Sequence, residues 1–247
     1  MRALSRFLLY AVIALAAALW VLPARWLIVA LPADWPLAVA DASGTVWRGT
    51  ALLAVGPPES RSTLPAPVTW QTGFAGGFHL ELRHPWLDGP LQLRPGIGGV
   101  ALSGRTLSLP AAVLAQFGAP FNTLQPAGQL QLRWPPLRVG GRLPAGELLT
   151  IDWNDAATAL SLLRPIGHYR VAIRGENGDA ATVALSTVSG PLVMEGKGRW
   201  TARAGFSFKG VARPAPGSSN EVRAALQAAL SALGRRSGDD SILQVGR

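Results

Sequence analysis

Hydrophobic and polar residues alternate along much of the chain. In residues 77–83, 129–134, 168–174 and 199–209, every second position is apolar and most positions between are polar. Because successive side chains of a strand point to opposite faces of a sheet, each segment has one apolar face and one wet face. A sheet with one wet face is typically antiparallel. The pattern therefore predicts a mainly β protein, built around a large, curved antiparallel β-sheet domain.

Turn residues and shorter apolar runs mark the remaining elements. Asn177-Gly178 favours a type I′ hairpin turn, because that turn needs the positive φ angles that Asn and Gly adopt. Residues 110–117 are predicted to form a short helix with proline in its first turn, whereas residues 154–163 are ambiguous between helix and strand. Further strands are predicted at residues 44–55, 68–72, 90–94, 100–109, 148–153, 181–187 and 192–195.

The C-terminal region carries a helical pattern instead. Asn220 is predicted to cap a helix over residues 221–233, and Gly234 is predicted to end it. The helix is amphipathic, so we expect its apolar stripe to pack on the sheet, while a role in binding a partner stays open. Residues 237–247 are predicted to be a flexible tail. The apolar stripe consists of Val222, Ala225, Leu226, Ala229, Leu230 and Leu233.

One apolar run near the N-terminus has no polar face. Residues 7–24 (FLLYAVIALAAALWVLPA, from Phe7 to Ala24) carry no charge, and a membrane-spanning helix needs roughly 17–25 such residues. Arg2 and Arg6 precede this run, and only Arg25 follows it closely. By the positive-inside rule, we expect a single-pass membrane anchor with a cytoplasmic N-terminus and a translocated body.

A cleaved signal peptide is the alternative to an anchor. Its cleavage sites would be poor, because residues 16–18 leave too short an apolar stretch and Leu22 holds the −3 position of the next site. The run is also longer than a typical signal-peptide core, so the anchor is favoured. The expected organisation is a cytoplasmic end (1–6), the anchor (7–24), a juxtamembrane linker (25–43), a periplasmic β domain (44–212), a linker with the C-terminal helix (213–236) and the tail (237–247).

Composition and charge narrow the function classes. The chain has 247 residues and a net charge of +9, from 23 basic and 14 acidic residues, but the basic residues are spaced singly. Nucleic-acid binding needs a concentrated basic patch, so dispersed arginines on wet strand faces are the favoured interpretation, and no nucleic-acid partner is predicted. Contact with anionic lipid headgroups stays open. Because there is no cysteine, no disulfide, thiolate zinc site or thiol nucleophile exists.

Candidate catalytic residues do not form a recognisable constellation. The histidines His79, His84 and His168 are not spaced as metal ligands. Residues 190–197 (GPLVMEGK) differ from a Walker phosphate loop in spacing and lack its Ser or Thr. We therefore predict no enzyme activity, catalytic residue, metal or cofactor. The weaker candidates are an acidic group of Glu147, Asp152 and Asp155 and a pair of Ser207 and Lys209.

An ordered set of short motifs runs from the start of the predicted sheet to the C-terminal helix. They are 44–51 (GTVWRGTA), Trp134-Pro135, 146–153 (GELLTIDW), 163–170 (LRPIGHYR), 185–192 (LSTVSGPL), 196–200 (GKGRW) and 226–235 (LQAALSALGR). In this order they resemble the type II secretion system protein N family, the accessory inner-membrane component of the general secretion pathway.

The resemblance implies a non-enzymatic role in moving folded proteins from the periplasm across the outer membrane. It implies partners among other type II secretion components, in the inner-membrane platform or the secretin, with membrane lipid contacted through residues 7–24. The alternative is a lipid carrier similar to AsmA-like periplasmic proteins, in which the apolar face of a curved sheet binds lipid. An apolar face plugged by helices favours the secretion role, and an unfilled face favours lipid transfer.

Overall fold

The fold is that of a mainly β protein with few helices. The computed structural model describes residues 10, 20–25, 37–57, 59, 61–118, 121–176 and 178–246. Within these residues the strands form two antiparallel sheets, which confirms the mainly β, antiparallel part of the predicted fold class, whereas the sequence predicts a single large sheet. The chain divides into two compact units, Met1–His84 and Pro85–Arg247, whereas the sequence predicts one β domain over residues 44–212.

The N-terminal unit contains a small antiparallel sheet. Its strands are β1 (Leu37–Gly44), β2 (Arg48–Val55), β3 (Ser62–Thr63), β4 (Val68–Gly73) and β5 (His79–Arg83). Neighbours follow the order β1-β2-β4-β5, and β3 pairs with the last two residues of β2. Ala51 and Trp70 are buried at the centre, where half-buried Leu80 and Leu82 pack against them.

The segment before this sheet is hydrogen-bonded to one end of it. The Ala24 backbone N–H donates to the Gly44 carbonyl at 3.0 Å, and the Val46 N–H donates to the Leu22 carbonyl at 3.0 Å. Ala24 is 1% exposed and belongs to the same buried cluster as Trp70. The chain therefore enters the unit beside the turn between β1 and β2.

Strand β1 corrects the predicted juxtamembrane linker. The sequence predicts irregular chain over residues 25–43, yet Leu37–Gly44 pairs along its length with β2. The segment (LAVADASG) has weak alternation, because alanine and glycine give little contrast between the two faces. Pairing with β2 and packing of Val39 and Ala42 on the core, both long-range interactions, make it a strand.

The predicted membrane anchor stays a prediction. No helix among the described residues is long and apolar enough to cross a membrane. Of residues 7–24, only Tyr10 and residues 20–24 are described, so the body of the predicted anchor lies outside the described part of the chain.

The C-terminal unit contains the larger sheet. The strands of this unit are β6 (Leu91–Gly96), β7 (Gly99–Leu102), β8 (Arg105–Pro110), β9 (Ala127–Trp134), β10 (Leu137–Val139), β11 (Gly146–Ala157), β12 (Gly167–Gly175), β13 (Ala180–Ser189), β14 (Leu192–Thr201), β15 (Gly205–Pro214), β16 (Arg235–Ser237) and β17 (Asp240–Val245). Nine of them form a sheet in the order β16-β17-β15-β14-β13-β12-β11-β9-β8. Strand β7 pairs with β6 on one side and β10 on the other.

Two segments predicted as single strands are strand pairs. Residues 100–109 split into β7 and β8, and residues 199–209 split into β14 and β15. In the second case Trp200 lies directly opposite Phe206, so both side chains share one face. The alternation therefore continues unbroken through the turn, and periodicity alone does not reveal it.

The predicted hairpin between residues 168–174 and 181–187 is confirmed. Strands β12 and β13 pair from His168 to Gly175, with Gly175 opposite Ala181. The Glu176 N–H donates to the Ala180 carbonyl at 3.0 Å across the connection. Asn177, on which the turn type depends, lies outside the described residues.

Of the helices with bounds in the described residues, only the C-terminal one is longer than two turns or so of chain. A 3-10 helix, Ala111–Phe117, follows Pro110 and confirms the predicted short helix. Helix α1 (Phe121–Leu124) is a single turn, and α2 (Asn220–Leu233) is the predicted C-terminal amphipathic helix. The first four residues of the ambiguous segment 154–163 complete β11.

Helix α2 begins one residue earlier than predicted. Its N-cap is Ser219, whose hydroxyl accepts a hydrogen bond from the Val222 N–H at 3.4 Å, and Asn220 is the first helical residue. Hydrogen bonds from the Ser219 hydroxyl and from its own backbone N–H lower the pKa of the Glu221 carboxyl. Gly234 ends the helix, as predicted.

The predicted flexible tail is wrong for most of its length. Residues Asp240–Val245 form β17, which pairs with β15 from Ser241 to Val245. The Ser241 hydroxyl is fully buried and donates to the Leu230 carbonyl of α2 at 2.7 Å. The charged and glycine-containing residues around positions 235–240 suggest a loop, but a neighbouring strand edge and the underside of α2 together order the segment.

Candidate interaction surface

The nine-stranded sheet has one apolar face and one polar face. Over half of the apolar face, Tyr169, Met194 and Ala212 are buried. Helix α2 covers them with Leu226 and Leu230, which are 0% and 1% exposed. This half is therefore filled by the chain's own helix, as the amphipathic stripe predicts.

The segment between β11 and β12 completes the cover. Ile166 is buried in the same cluster as Tyr169. The Tyr169 hydroxyl lies 3.1 Å from the Ile166 carbonyl and 2.9 Å from the Leu192 carbonyl. Burial raises the pKa of this hydroxyl, because water can no longer solvate the phenolate.

The other half of the apolar face is open. Trp200, Phe206 and Val245 are 39%, 40% and 56% exposed, and Phe208 is half-buried. Phe208 lies opposite Val245 in the sheet, and the Phe206 and Phe208 rings stack with centroids 6.4 Å apart. Because directly opposed residues share a face, these four side chains form one surface, here called the open apolar face.

Glycines seat the ring at the centre of this surface. A Cβ placed on Gly196 would lie 2.3 Å from Phe208 Cζ, and one on Gly198 would lie 2.9 Å from Phe208 Cδ2. Both distances are shorter than a carbon–carbon contact allows, so the Phe208 ring lies flat over bare backbone. The GKGRW motif at residues 196–200 therefore shapes the open apolar face.

A free strand edge adjoins the open apolar face. Strand β16 pairs only with Asp240, Ser241 and Ile242 of β17. Within the described residues, no strand pairs with the outer edge of β17 beyond Ile242. Backbone groups at such an edge are available to a partner's strand.

The polar face of the sheet is organised around one buried carboxylate. Asp152, on β11, is 6% exposed. Its Oδ1 accepts from Arg170 Nε at 2.6 Å, and its Oδ2 accepts from an Arg133 amino group. The hydrogen bond and charge of Asp152 raise the pKa of the Arg170 guanidinium. The two arginines lie on strands on either side of β11, so this group links three neighbouring strands.

A groove of about 840 Å³ lies beside this carboxylate, and three of the four arginines that line it have partners. Arg133 and Arg170 both contact Asp152. Arg105 donates to the Pro90 carbonyl at 2.7 Å and to the Gly104 carbonyl at 2.9 Å. Since these guanidinium groups hold the fold together, the groove does not present a cluster of free cations to a polyanion.

Each histidine named from the sequence has a hydrogen bond to a backbone group. His79 has Nδ1 3.1 Å from the Gly77 carbonyl, and His84 has Nε2 3.2 Å from the Ala66 carbonyl. His168 accepts a hydrogen bond at Nδ1 from the Asp155 N–H at 3.2 Å. No three His, Asp or Glu side chains among the described residues are grouped as a metal site.

The remaining chemical candidates are also structural. Glu147 accepts from the Thr150 hydroxyl at 2.6 Å, on the strand that carries Asp152. Residues 190–197 lie largely within β14, so their backbone N–H groups serve a sheet rather than a phosphate. Ser207 and Lys209 lie on β15, where the Ser207 hydroxyl donates to the Arg199 carbonyl at 3.4 Å.

The sequence named the apolar sheet face as a lipid site in the alternative function, but it did not show which part of that face stays open. The apolar alternation of β14 and β15 was visible, but it predicts only which face is apolar. The length of α2 relative to the sheet decides how much of that face stays open, and that comparison requires the packed structure.

Comparison with known proteins agrees with this architecture. The family model described as Type II secretion system (T2SS), protein N, matches residues 36–243. No curated protein and no solved structure matches the chain. The matched region begins just before β1 and ends inside β17, so it includes α2 and, of the open apolar face, Trp200, Phe206 and Phe208. The chain therefore belongs to the type II secretion system protein N family, which associates it with type II secretion.

Proposed function

We propose that this chain is an accessory inner-membrane component of the type II secretion system, which helps export folded periplasmic proteins across the outer membrane through protein–protein contacts. The observation that carries the proposal is the family match over residues 36–243. In this arrangement residues 7–24 anchor the chain, the N-terminus is cytoplasmic and the β body is periplasmic.

The open apolar face supplies a physical means of contact. Trp200 and Phe206 expose large rings, and aromatic residues are the commonest anchors of protein interfaces. The free edge of β17 lies next to them and offers backbone hydrogen bonds to an added strand. A partner that adds a strand to β17 would cover both features, so we place the contact with another secretion component here.

Lipid binding is the second candidate, and the open apolar face also favours it. Four apolar side chains on one sheet surface would accept an acyl chain. The covered half argues for the secretion role, since Leu226 and Leu230 of α2 already occupy the space that a long lipid would need.

Deleting the gene tests the two functions against each other. If the protein serves secretion, folded substrates should accumulate in the periplasm, while the lipid composition of the outer membrane should stay unchanged. A partial defect is expected for an accessory component. Normal release of exoproteins in a strain that depends on the pathway, together with altered outer-membrane lipid, would replace the secretion role with lipid transfer.

A surface variant tests the contact itself. Phe206→Ser removes an exposed ring from the open apolar face and leaves the buried core intact, so exoprotein release should fall while the protein accumulates normally. Ile97→Ser is the matched control, because Ile97 is 100% exposed and lies in the turn between β6 and β7. Equal secretion in the two variants would remove the open apolar face from the proposed mechanism.

The anchor has its own measurement. Intact mass of the membrane-extracted protein should include residues 1–24, because the N-terminal run is proposed to stay uncleaved. A mature product that starts at or near Arg25 would show a cleaved signal peptide instead.

A further inference from the structure

Several aromatic rings are exposed in the N-terminal unit, among them those of Trp20, Phe74 and Phe78. Trp20, Phe74 and Phe78 are 75%, 66% and 45% exposed. The Phe74 and Phe78 rings pack together with centroids 5.8 Å apart, in the turn between β4 and β5. Gly76 and Gly77 take positive φ angles of 73° and 100° in that turn. The turn therefore holds two aromatic rings outward on a tight, glycine-dependent bend.

These rings lie at the end of the sheet where the chain enters. Strand β2 runs antiparallel to β4, with Arg48 opposite Gln71, so the β1–β2 and β4–β5 turns lie at the same end. The Thr72 N–H donates to the Trp47 carbonyl at 2.7 Å and ties the two turns together. The end of the apolar run is hydrogen-bonded to the first of these turns, because the Leu22 carbonyl accepts from the Val46 N–H.

A groove at this end joins the entering chain to the aromatic turn. It has a volume of about 300 Å³ and is lined by Trp20, Trp47, Arg48, Gln71, Thr72 and Phe74. Trp20 therefore borders the same groove as Phe74, although the two residues are far apart in sequence. A guanidinium group, Arg48, lies among the aromatic residues. Tryptophan and phenylalanine beside a cation are the composition that favours the headgroup region of a bilayer.

We propose that the turn at residues 74–78, together with Trp20, inserts into the periplasmic surface of the inner membrane and fixes the orientation of the N-terminal unit on it. The inference rests on the proposed anchor, because residues 7–24 would bring the bilayer to this end of the sheet. The occupant is a lipid surface, which the apolar run directly before Trp20 leads into. The aromatic rings would lie at headgroup depth, and Arg48 would face lipid phosphates.

The absence of cysteine from the chain allows a clean test. An Ala75→Cys variant takes one environment-sensitive fluorophore between the two phenylalanines. Ser62→Cys, on β3 at the opposite end of the sheet, is the matched control and is exposed. The full chain is reconstituted in phosphatidylethanolamine–phosphatidylglycerol vesicles that contain a lipid with a nitroxide near its headgroup. We expect blue-shifted emission and loss of fluorescence at position 75, with neither at position 62.

A second variant tests whether the quenching at position 75 depends on the two aromatic rings or only on the nearness of the anchor. Adding Phe74→Ser and Phe78→Ser to Ala75→Cys should restore the fluorescence at position 75, because the rings hold the turn in the lipid. Equal quenching at positions 62 and 75, or none at 75, would overturn the inference. Quenching unaffected by the two serines would also overturn it.

Alkaline extraction of the vesicles distinguishes a failure of the turn to insert from a failure of the proposed anchor. If alkaline carbonate removes the protein from the vesicles, the anchor fails and the inference fails with it. If the protein stays in the vesicles and position 75 is not quenched, only the inference fails. A label at position 75 that is protected in native membranes but not in lipid vesicles would assign the turn to a protein partner and reject the lipid contact.

Discussion

Tyr169 connects three parts of the C-terminal unit through one side chain. Its ring packs between the β-sheet and α2, with Trp153 at a centroid distance of 5.8 Å, and it is 2% exposed. Its hydroxyl reaches the carbonyls of Ile166, in the covering segment, and Leu192, at the start of β14. The Ile166 carbonyl also accepts from the Leu192 N–H at 3.0 Å, so the hydroxyl adds to an existing backbone contact between the covering segment and β14.

Replacing this hydroxyl should destabilise the fold. Tyr169→Phe keeps the ring and removes the buried hydroxyl with its hydrogen bond to the Leu192 carbonyl, at a cost of about 1 kcal/mol in the free energy of unfolding. Urea unfolding of the detergent-solubilised chain measures the cost. Tyr10→Phe is the matched control, because Tyr10 is the chain's other tyrosine and is 68% exposed. Equal unfolding midpoints for the two variants would contradict the assigned role.

The burial of Tyr169 predicts that the free energy of unfolding depends on pH in the alkaline range. Burial raises the pKa of Tyr169 above its ordinary value of 10.0, so the folded state keeps a proton that the unfolded state releases. The stability that this adds is complete below pH 10.0 and is lost as the pH rises further towards the folded-state pKa. We expect the free energy of unfolding to fall more steeply above pH 10.0 in the natural protein than in Tyr169→Phe. Equal slopes of the free energy of unfolding against pH in the two proteins would contradict this prediction.

On the polar face, Asp152 likewise connects neighbouring elements through one side chain. Asp152→Asn removes the charge that Arg133 and Arg170 share, and it should lower the free energy of unfolding by about 1 kcal/mol, since both arginines stay partly solvated. The control is Asp155→Asn, whose side chain is 74% exposed and whose φ of 50° asparagine tolerates. If the two changes have equal effects, Asp152 does not organise the polar face.

At the scale of elements, α2 decides what the apolar face of the large sheet can do. Leu226 and Leu230 fill one half of that face, and β17 then packs under the helix through Ser241. The helix is therefore a structural plug over the covered half, and the open apolar face begins where its side chains end. An interaction through α2 would have to use its exposed side.

Truncating a buried leucine of α2 tests the plug. Leu230→Ala should lower the free energy of unfolding by about 2–5 kcal/mol, because the cavity adds to the lost burial of the side chain. Leu162→Ala is the same change at a residue that is 91% exposed, and it should have little effect. A helix that only docks a partner would make the two substitutions equivalent, and the difference in unfolding midpoint decides the question.

For the whole molecule, no described group of side chains has the arrangement of a catalytic centre. His79, His168, Asp152 and Asp155 contact backbone, arginine or each other within the fold. Single substitutions at these four positions should leave secretion nearly normal wherever the protein accumulates, measured by exoprotein release. Loss of secretion in a stably folded His168→Ala variant would reveal a polar site on β12.

The sequence alone determined the local and periodic features. Alternation at residues 168–174 and 199–209 identified strands and their apolar faces, because a side chain's direction in a strand depends only on backbone geometry. The apolar stripe and Gly234 identified α2 for the same local reason. The ordered motifs identified the family, which the match over residues 36–243 confirms.

Tertiary structure decided what depends on partners distant in the chain. Residues 37–44 and 240–245 are strands because β2 and β15 offer them free edges, and their own patterns are too weak to show it. Asp152 is buried between Arg133 and Arg170 because three strands bring them together. The open apolar face exists because the side chains of α2 cover only part of the sheet. How much of a sheet a helix covers depends on how the two elements pack, and no local pattern in the sequence contains that information.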